Sequence, residues 1–202
     1  MSNNQLIPEE DVQKYLAAMS EIRFRLNGIR KILCSQPIDV VSFESILLQI
    51  RKSLELIAFS SLVSNKDCYE NVRGNVDKDW HAIRILKAVE MANPDFYPEP
   101  VVPSKESRLP LLSVGFLSRA EFVKWYDLCG DYMHATNPFI KEKNRSDTLE
   151  LIPELITKLE LLLQEHMISL SGTEDKIWVS VSFKNIKKTV SMCFLHYLRE
   201  ET

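Results

Sequence analysis

The chain has 202 residues, of which 45% are hydrophobic and 26% are charged, and its formal net charge at pH 7 is -3. This balance is typical of a globular protein with a hydrophobic core, and it excludes a disordered, a collagen-like or a disulfide-scaffold protein. The near-even charge provides no overall field that would attract nucleic acid. The five glycines stand far apart and form no phosphate-binding loop, so we predict no cofactor.

Cysteine usage and the apolar segments predict where the protein resides. The four cysteines are scattered, and three lie among apolar residues, a pattern typical of reduced, buried thiols. The polar start, residues 1–8, is unlike a signal peptide. The longest apolar stretch, residues 54–63, contains Glu55 and is too short to span a bilayer. We therefore predict a cytoplasmic protein with no membrane partner.

Apolar residues at alternating steps of three and four predict a helical N-terminal part. The first helix begins near Pro8 and ends at Ser35. A second helix, from about Val40 to Val63, should pack antiparallel to it because the connection is short. The C-terminal half of this second helix is apolar nearly all round, which is typical of a helix buried centrally or covered by a partner.

Three further helices follow along the chain. We predict the third over Asp77–Ala92, the fourth from a capping box at Ser118, and the fifth over Pro153–His166, with Pro153 in its first turn. The segment Asn93–Leu117 contains too many prolines for regular structure. We predict that it forms a loop on the surface of the bundle.

Near the C-terminus the apolar period changes from 3.6 to 2, which indicates β-strands. We predict strands over residues 167–170, 177–183 and 190–197, joined as an antiparallel meander. The predicted fold is mainly α within the α+β class: an antiparallel bundle of about five helices followed by a small three-stranded meander. The predicted domains are a helical bundle over residues 1–166 and a meander over residues 167–202 that packs on the bundle.

Asp127, Asp131 and His134 have spacings that place them on one helix face. Two carboxylates and an imidazole arranged in this way could ligate a divalent metal. No matching motif recurs on another helix, however, and a histidine in a last helical turn is stabilised by the helix dipole and by a nearby carboxylate. We therefore predict binding candidates here but no metal site.

Two other charged sets are candidate sites. His81 and Arg84, with Asp77, could bind a phosphate on one helix face, although a solvated face with paired charges is the more common arrangement. Arg51 lies one turn before Glu55 in the apolar second helix. A charge in a buried helix has to be paired, so we predict a structural ion pair, with a site carboxylate as the alternative.

Three segments resemble a group of uncharacterised bacterial helical proteins: YxxCGxxxHxxNPF from Tyr126 to Phe139, RKxxELI from Arg51 to Ile57, and NPDFYP from Asn93 to Pro98. The helical hairpins, the central charged pair and His134 are also similar to the HEPN superfamily. These helical domains include RNase toxins and non-catalytic accessory modules of bacterial defence. The resemblance covers the helical part and implies His134 as the candidate catalytic position.

The chain departs from the catalytic pattern of that superfamily, in which Arg precedes His by four to six residues on one helix. No Arg lies in that range before His134, so the resemblance implies an accessory role. Our leading hypothesis is a non-enzymatic helical interaction or accessory module of a bacterial defence or toxin–antitoxin system, acting through a protein partner or self-association. The alternative is a HEPN-like, metal-independent ribonuclease that acts on RNA through His134, with Arg51 and Glu55. Binding candidates are His81, Arg84, Asp127, Asp131 and Asn137.

Overall fold

A computed structural model describes residues 7–35, 37–73, 81–103, 109–135, 139, 144–170, 175–184 and 190–195. Its helices are α1 (Glu9–Cys34), α2 (Val40–Ser64), α3 (Lys66–Arg73), α4 (Ala82–Ala92), α5 (Arg119–Tyr132) and α6 (Arg145–Leu163), and its strands are β1 (Glu99–Pro100), β2 (Glu165–Ser169), β3 (Lys176–Ser180) and β4 (Ser191–Leu195). The predicted class is confirmed, since the protein is mainly helical with a C-terminal antiparallel sheet.

Local capping signals fix where α1, α2 and α5 begin. Pro8 precedes α1, whose first turn is acidic and therefore complements the positive end of the helix dipole. The Asp39 side chain caps α2 by accepting the Ser42 N–H at 2.7 Å. The predicted capping box is present at Ser118, which exchanges hydrogen bonds with Glu121.

The second helix is the central element of the bundle. It packs against α1, α4 and α5, and Leu54, Ile57 and Ala58 are completely buried. The sequence left two explanations for the apolar C-terminal half of this helix, central burial and cover by a partner. The structure shows that the chain itself buries it. No helix in the described ranges is long and apolar enough to cross a membrane.

Two helices differ from the predicted pattern in the middle of the chain. The short helix α3 was not predicted, because it falls in a polar stretch; its anchor is Tyr69, which is completely buried. The next helix, α4, begins at Ala82, and the predicted start at Asp77 lies outside the described residues.

The prediction that Pro153 starts the last helix is wrong. The helix α6 begins eight residues earlier, at Arg145, where the Asn144 side chain accepts the Ser146 N–H. Pro153 lies inside the helix on its exposed side, while Thr148 and Ile152 are buried before it. The free energy gained by burying this longer stripe offsets the loss of one backbone hydrogen bond, since proline has no N–H to donate.

Within the described ranges the sheet has four strands in the order β1-β2-β3-β4, all antiparallel, rather than the three predicted. The additional strand, β1, comes from the proline-rich segment that we predicted as a loop. It pairs Glu99 with Met167 and Pro100 with His166. A proline is tolerated there because an edge strand does not need every backbone N–H.

We predicted His166 at the end of the last helix, and this is wrong. The helix α6 stops at Leu163, and His166 lies in strand β2. Its side chain is completely buried. The Leu163 carbonyl, 2.9 Å from Nδ1, can only accept a hydrogen bond, so Nδ1 carries the proton. Nε2 then accepts from the Tyr15 hydroxyl at 2.8 Å. This pair links α1 to the sheet.

Of the three cysteines whose burial the structure describes, only one has the predicted buried thiol. Cys129 is buried, but Cys34 and Cys193 are exposed, and all three are free. Cys34 is the last residue of α1, and Cys193 points outward from β4.

Acid should destabilise the protein through His166. Burial lowers the pKa of His166 from 6.5 to about 4, whereas the unfolded chain titrates near its ordinary value. Between these pH values only the unfolded chain gains the proton, so the free energy of unfolding should fall as pH falls from about 6.5 to about 4, by on the order of 3 kcal/mol. Above about pH 6.5 His166 is neutral in both the folded and the unfolded chain, so none of this free energy of unfolding is lost. Urea unfolding at a series of pH values measures it.

The control is His166→Gln, a side chain that keeps hydrogen-bonding capacity and does not titrate. Its unfolding free energy should depend less steeply on pH in the same interval. Equal pH dependence in the two proteins would contradict the assignment to His166.

Candidate functional site

The central helix and α5 bring together several of the candidate residues around one phenol. Arg51 and Glu55 lie one turn apart on α2, and Tyr126 lies on the buried face of α5. His81 immediately precedes α4. We call these four residues, Arg51, Glu55, His81 and Tyr126, the Tyr126 cluster.

Arg51 uses all three guanidinium nitrogens within the cluster. Its Nε donates to Glu55 Oε1 at 3.2 Å, its Nη2 donates to the Tyr126 hydroxyl at 2.9 Å, and its Nη1 donates to the Tyr126 carbonyl at 3.3 Å. The guanidinium carbon also lies 4.1 Å from the centroid of the Tyr126 ring, which is a cation–π distance. The ion pair predicted between Arg51 and Glu55 is therefore present, and it extends to a second helix.

The Tyr126 hydroxyl joins α5 to α2. It accepts a hydrogen bond from Arg51 and donates to Glu55 Oε1 at 3.4 Å. The His81 ring packs against the phenol, with 5.6 Å between the ring centroids. An aromatic ring with one polar tip is well suited to this position, since the ring packs in the core while the hydroxyl satisfies polar groups.

Partial burial explains why these charges are paired. The side chains of Arg51 and Glu55 are only 22% and 28% exposed. Burial raises the pKa of Tyr126, with the Arg51 charge opposing the shift. Burial also raises the pKa of the neighbouring Cys129 thiol to about 12, again against the influence of Arg51. The thiol is therefore protonated near neutral pH and unsuited to nucleophilic attack.

Gly130 makes room for the guanidinium. A Cβ atom at this position would lie 3.0 Å from Arg51 Nη1, closer than ordinary van der Waals contact allows. The absence of a side chain on this turn of α5 thus lets the Arg51 side chain reach the Tyr126 carbonyl.

The other candidate residues do not join the cluster. Asp127 and Asp131 lie on the exposed side of α5, and His134 is exposed two residues beyond the end of that helix. Arg84 is exposed on α4, whereas His81 is half-buried against Tyr126, so the two do not form one exposed stripe. Asn137 lies outside the described residues.

The geometry around His134 bears on two of the chemical hypotheses. In the part of the chain that the structure describes, no hydrogen bond or ion pair joins His134 to Arg51 or Glu55. Among the same residues, no group of three or more His, Cys, Asp or Glu side chains is placed so that it could hold a metal ion.

Sequence reasoning missed the residue on which the cluster depends. From the sequence, Tyr126 was named only as the first residue of a motif, and its hydroxyl was given no partner. The sequence held one relevant signal. A buried tyrosine hydroxyl usually needs a hydrogen-bond partner, and the predicted Arg51–Glu55 pair on α2 was a candidate for that role. The buried pair of Tyr15 and His166 had no comparable local signal.

No protein-family model, curated protein or solved structure matches the chain. Its function is therefore inferred from the contacts described above.

Replacing Tyr126 with Phe tests the structural importance of the cluster. The variant keeps the ring but removes the hydroxyl that bonds to Arg51 and Glu55. We expect a loss of about 1–3 kcal/mol in the free energy of unfolding, since partly buried polar groups lose their partner. Asp127→Asn, an exposed change on the next residue, should shift it by less than about 0.5 kcal/mol. Equal effects of the two substitutions in urea unfolding would contradict the assignment.

The two helical glycines Gly130 and Gly28 provide a matched pair. Nothing lies within 4 Å of a Cβ at Gly28, in the C-terminal third of α1. Gly28→Ala should therefore stabilise the protein by up to about 1 kcal/mol through helix propensity. Gly130→Ala should give no such increase in stability, or should destabilise the protein, because the added methyl group displaces the Arg51 side chain. A gain at Gly130 as large as that at Gly28, measured by thermal or urea unfolding, would show that the contact does not constrain the helix.

Proposed function

We propose that the chain is a non-enzymatic helical interaction or accessory module. The observation that carries this proposal is that Arg51 and Glu55 are engaged inside the Tyr126 cluster, while His134 is exposed elsewhere. A ribonuclease acting through His134 would need these groups beside the histidine.

Acid–base catalysis requires supporting groups within hydrogen-bonding reach of the catalytic side chain or of the substrate. The three donor nitrogens of Arg51 already have acceptors, and one Glu55 oxygen already accepts from Arg51 and Tyr126. Releasing either residue would break contacts that hold α2 and α5 together. The arrangement thus favours a structural role for the charged pair.

The sheet offers a better surface for a partner than the apolar second helix does. The C-terminal half of α2 is enclosed by the chain itself. In contrast, β4 is the last strand in the sheet order, and its Ser191 and Cys193 side chains are exposed. Strand edges and exposed sheet faces are common sites of protein association.

The proposed setting follows from the resemblance to the HEPN superfamily. We place the module in the bacterial cytoplasm, as an accessory subunit of a defence or toxin–antitoxin system that acts through a protein partner or through self-association. RNA is the ligand of the alternative, catalytic hypothesis.

Incubation with RNA separates the two hypotheses. Wild-type protein, His134→Ala and the control Asp131→Asn are incubated with single-stranded and structured RNAs, after circular dichroism has shown that all three are folded. We expect no cleavage by any of them. Cleavage by the wild type and by Asp131→Asn, but not by His134→Ala, would overturn the proposal.

A further inference from the structure

A row of polar side chains crosses the sheet at the end of β3. The register pairs Ser180 with Glu165 on β2 and with Ser191 on β4. Directly opposed residues of an antiparallel pair point to the same face of a sheet. Because the neighbouring Val179 is completely buried, the three polar residues lie on the outer face, away from the core.

A cavity of about 370 Å³ lies beside this row. Pockets that bind small molecules are about 300–1,000 Å³ in volume, so the cavity is large enough for a small ligand. The polar residues that line it are Gln164, Glu165, Ser180, Ser182, Lys184 and Ser191. None of them belongs to the Tyr126 cluster, and walls of this kind suit a polar ligand.

The Glu165 carboxylate is held in place at the cavity. Its Oε2 accepts a hydrogen bond from Trp178 Nε1 at 2.9 Å, and its Oε1 accepts one from the Ser180 hydroxyl at 2.7 Å. A carboxylate oxygen can accept more than one hydrogen bond. Both oxygens therefore remain able to accept from a ligand, and their position is fixed before the ligand arrives.

Lys184 brings the opposite charge to the same cavity. Within the described ranges no ion pair joins it to Glu165, so the two charges line one space without neutralising each other. An anion bound there would meet the carboxylate of Glu165, and a cation would meet the ammonium of Lys184. A zwitterion carries a complementary group for each of them.

We propose that this cavity binds a free α-amino acid, with its ammonium group at Glu165 and its carboxylate at Lys184. The exposed lysine has a long, flexible side chain that can reach the carboxylate of the ligand. The hydroxyls of Ser182 and Ser191 lie at the same cavity and provide further donors. This inference goes beyond the proposed accessory role and does not depend on it.

Thermal unfolding of the full chain tests binding. The midpoint is measured with each common L-amino acid, and with glucose as a neutral polyol, at about 10 mM. At least one amino acid should raise the midpoint by about 2 °C or more, because a ligand that binds only the folded chain stabilises it. The N-acetyl derivative and the methyl ester of that amino acid, which each lack one charge, should give no such rise.

Variants at the two charged positions test the location. Calorimetric titration with the amino acid found above should give a dissociation constant that is about 10- to 100-fold weaker for Glu165→Gln and for Lys184→Met. The glutamine keeps an oxygen that accepts from the Trp178 N–H, and circular dichroism checks the fold of each variant. The matched controls Glu44→Gln and Lys87→Met, at exposed positions elsewhere, should bind as the wild type does.

An unchanged midpoint with every amino acid overturns this inference. Equal stabilisation by the two blocked derivatives, or by glucose alone, would also overturn it, since the ligand would then not be recognised as a zwitterion. Wild-type affinity in both cavity variants would place the ligand elsewhere and contradict the site. Cleavage of RNA through His134 would overturn the proposed function and leave the amino-acid site standing.

Discussion

The arrangement of the bundle depends on the need to satisfy one guanidinium on its central helix. Arg51 lies on α2, whose C-terminal half is enclosed by the rest of the chain. A partly buried cation without partners is unfavourable by several kcal/mol, so the surrounding helices must present acceptors to it. Glu55 provides one on the same helix, and Tyr126 provides a hydroxyl, a carbonyl and an aromatic face from α5. The cluster thereby fixes how α5 docks on α2.

Other buried polar groups connect the sheet to the bundle in the same way. Tyr15 and His166 join α1 to β2. Near the C-terminal ends of α2 and α4, the Asn93 side chain donates to the Asn65 side chain at 2.7 Å and to the Ser169 carbonyl of β2 at 3.1 Å. A small sheet is marginally stable alone and needs a surface to pack on. These directional contacts supply a specific position for it on the helices, in addition to the apolar packing beneath.

Local signals in the sequence were enough to predict the long helices and the meander. The capping box at Ser118 acts through neighbouring backbone groups, and it marked the start of α5. Apolar periodicity identifies buried faces, so the bounds of α1 and α2 were close to those observed. Pro153 was misread because its local preference for a first turn is outweighed by the packing of Thr148 and Ile152. The strand at Pro100 could not be predicted, since it exists only through pairing with β2.

In the site, too, contacts between neighbouring residues could be predicted, whereas contacts between distant helices could not. The pairing of Arg51 with Glu55 follows from their spacing on one helix, and it was predicted. The contact between Arg51 and Tyr126 spans 75 positions and depends on how two helices dock, which apolar periodicity does not specify. His134 was grouped with the charged pair through a resemblance, whereas the exposed end of α5 keeps it apart from them in the described structure.

A double-mutant cycle between Arg51 and Tyr126 tests the central claim most directly. The free energies of unfolding of the wild type, Arg51→Met, Tyr126→Phe and the double variant are measured in urea at neutral pH. A structural cluster predicts that the two substitutions are not additive, with a coupling energy of about 1–3 kcal/mol. Additive effects, with a coupling energy near zero, would contradict the account and would leave Arg51 available for another role.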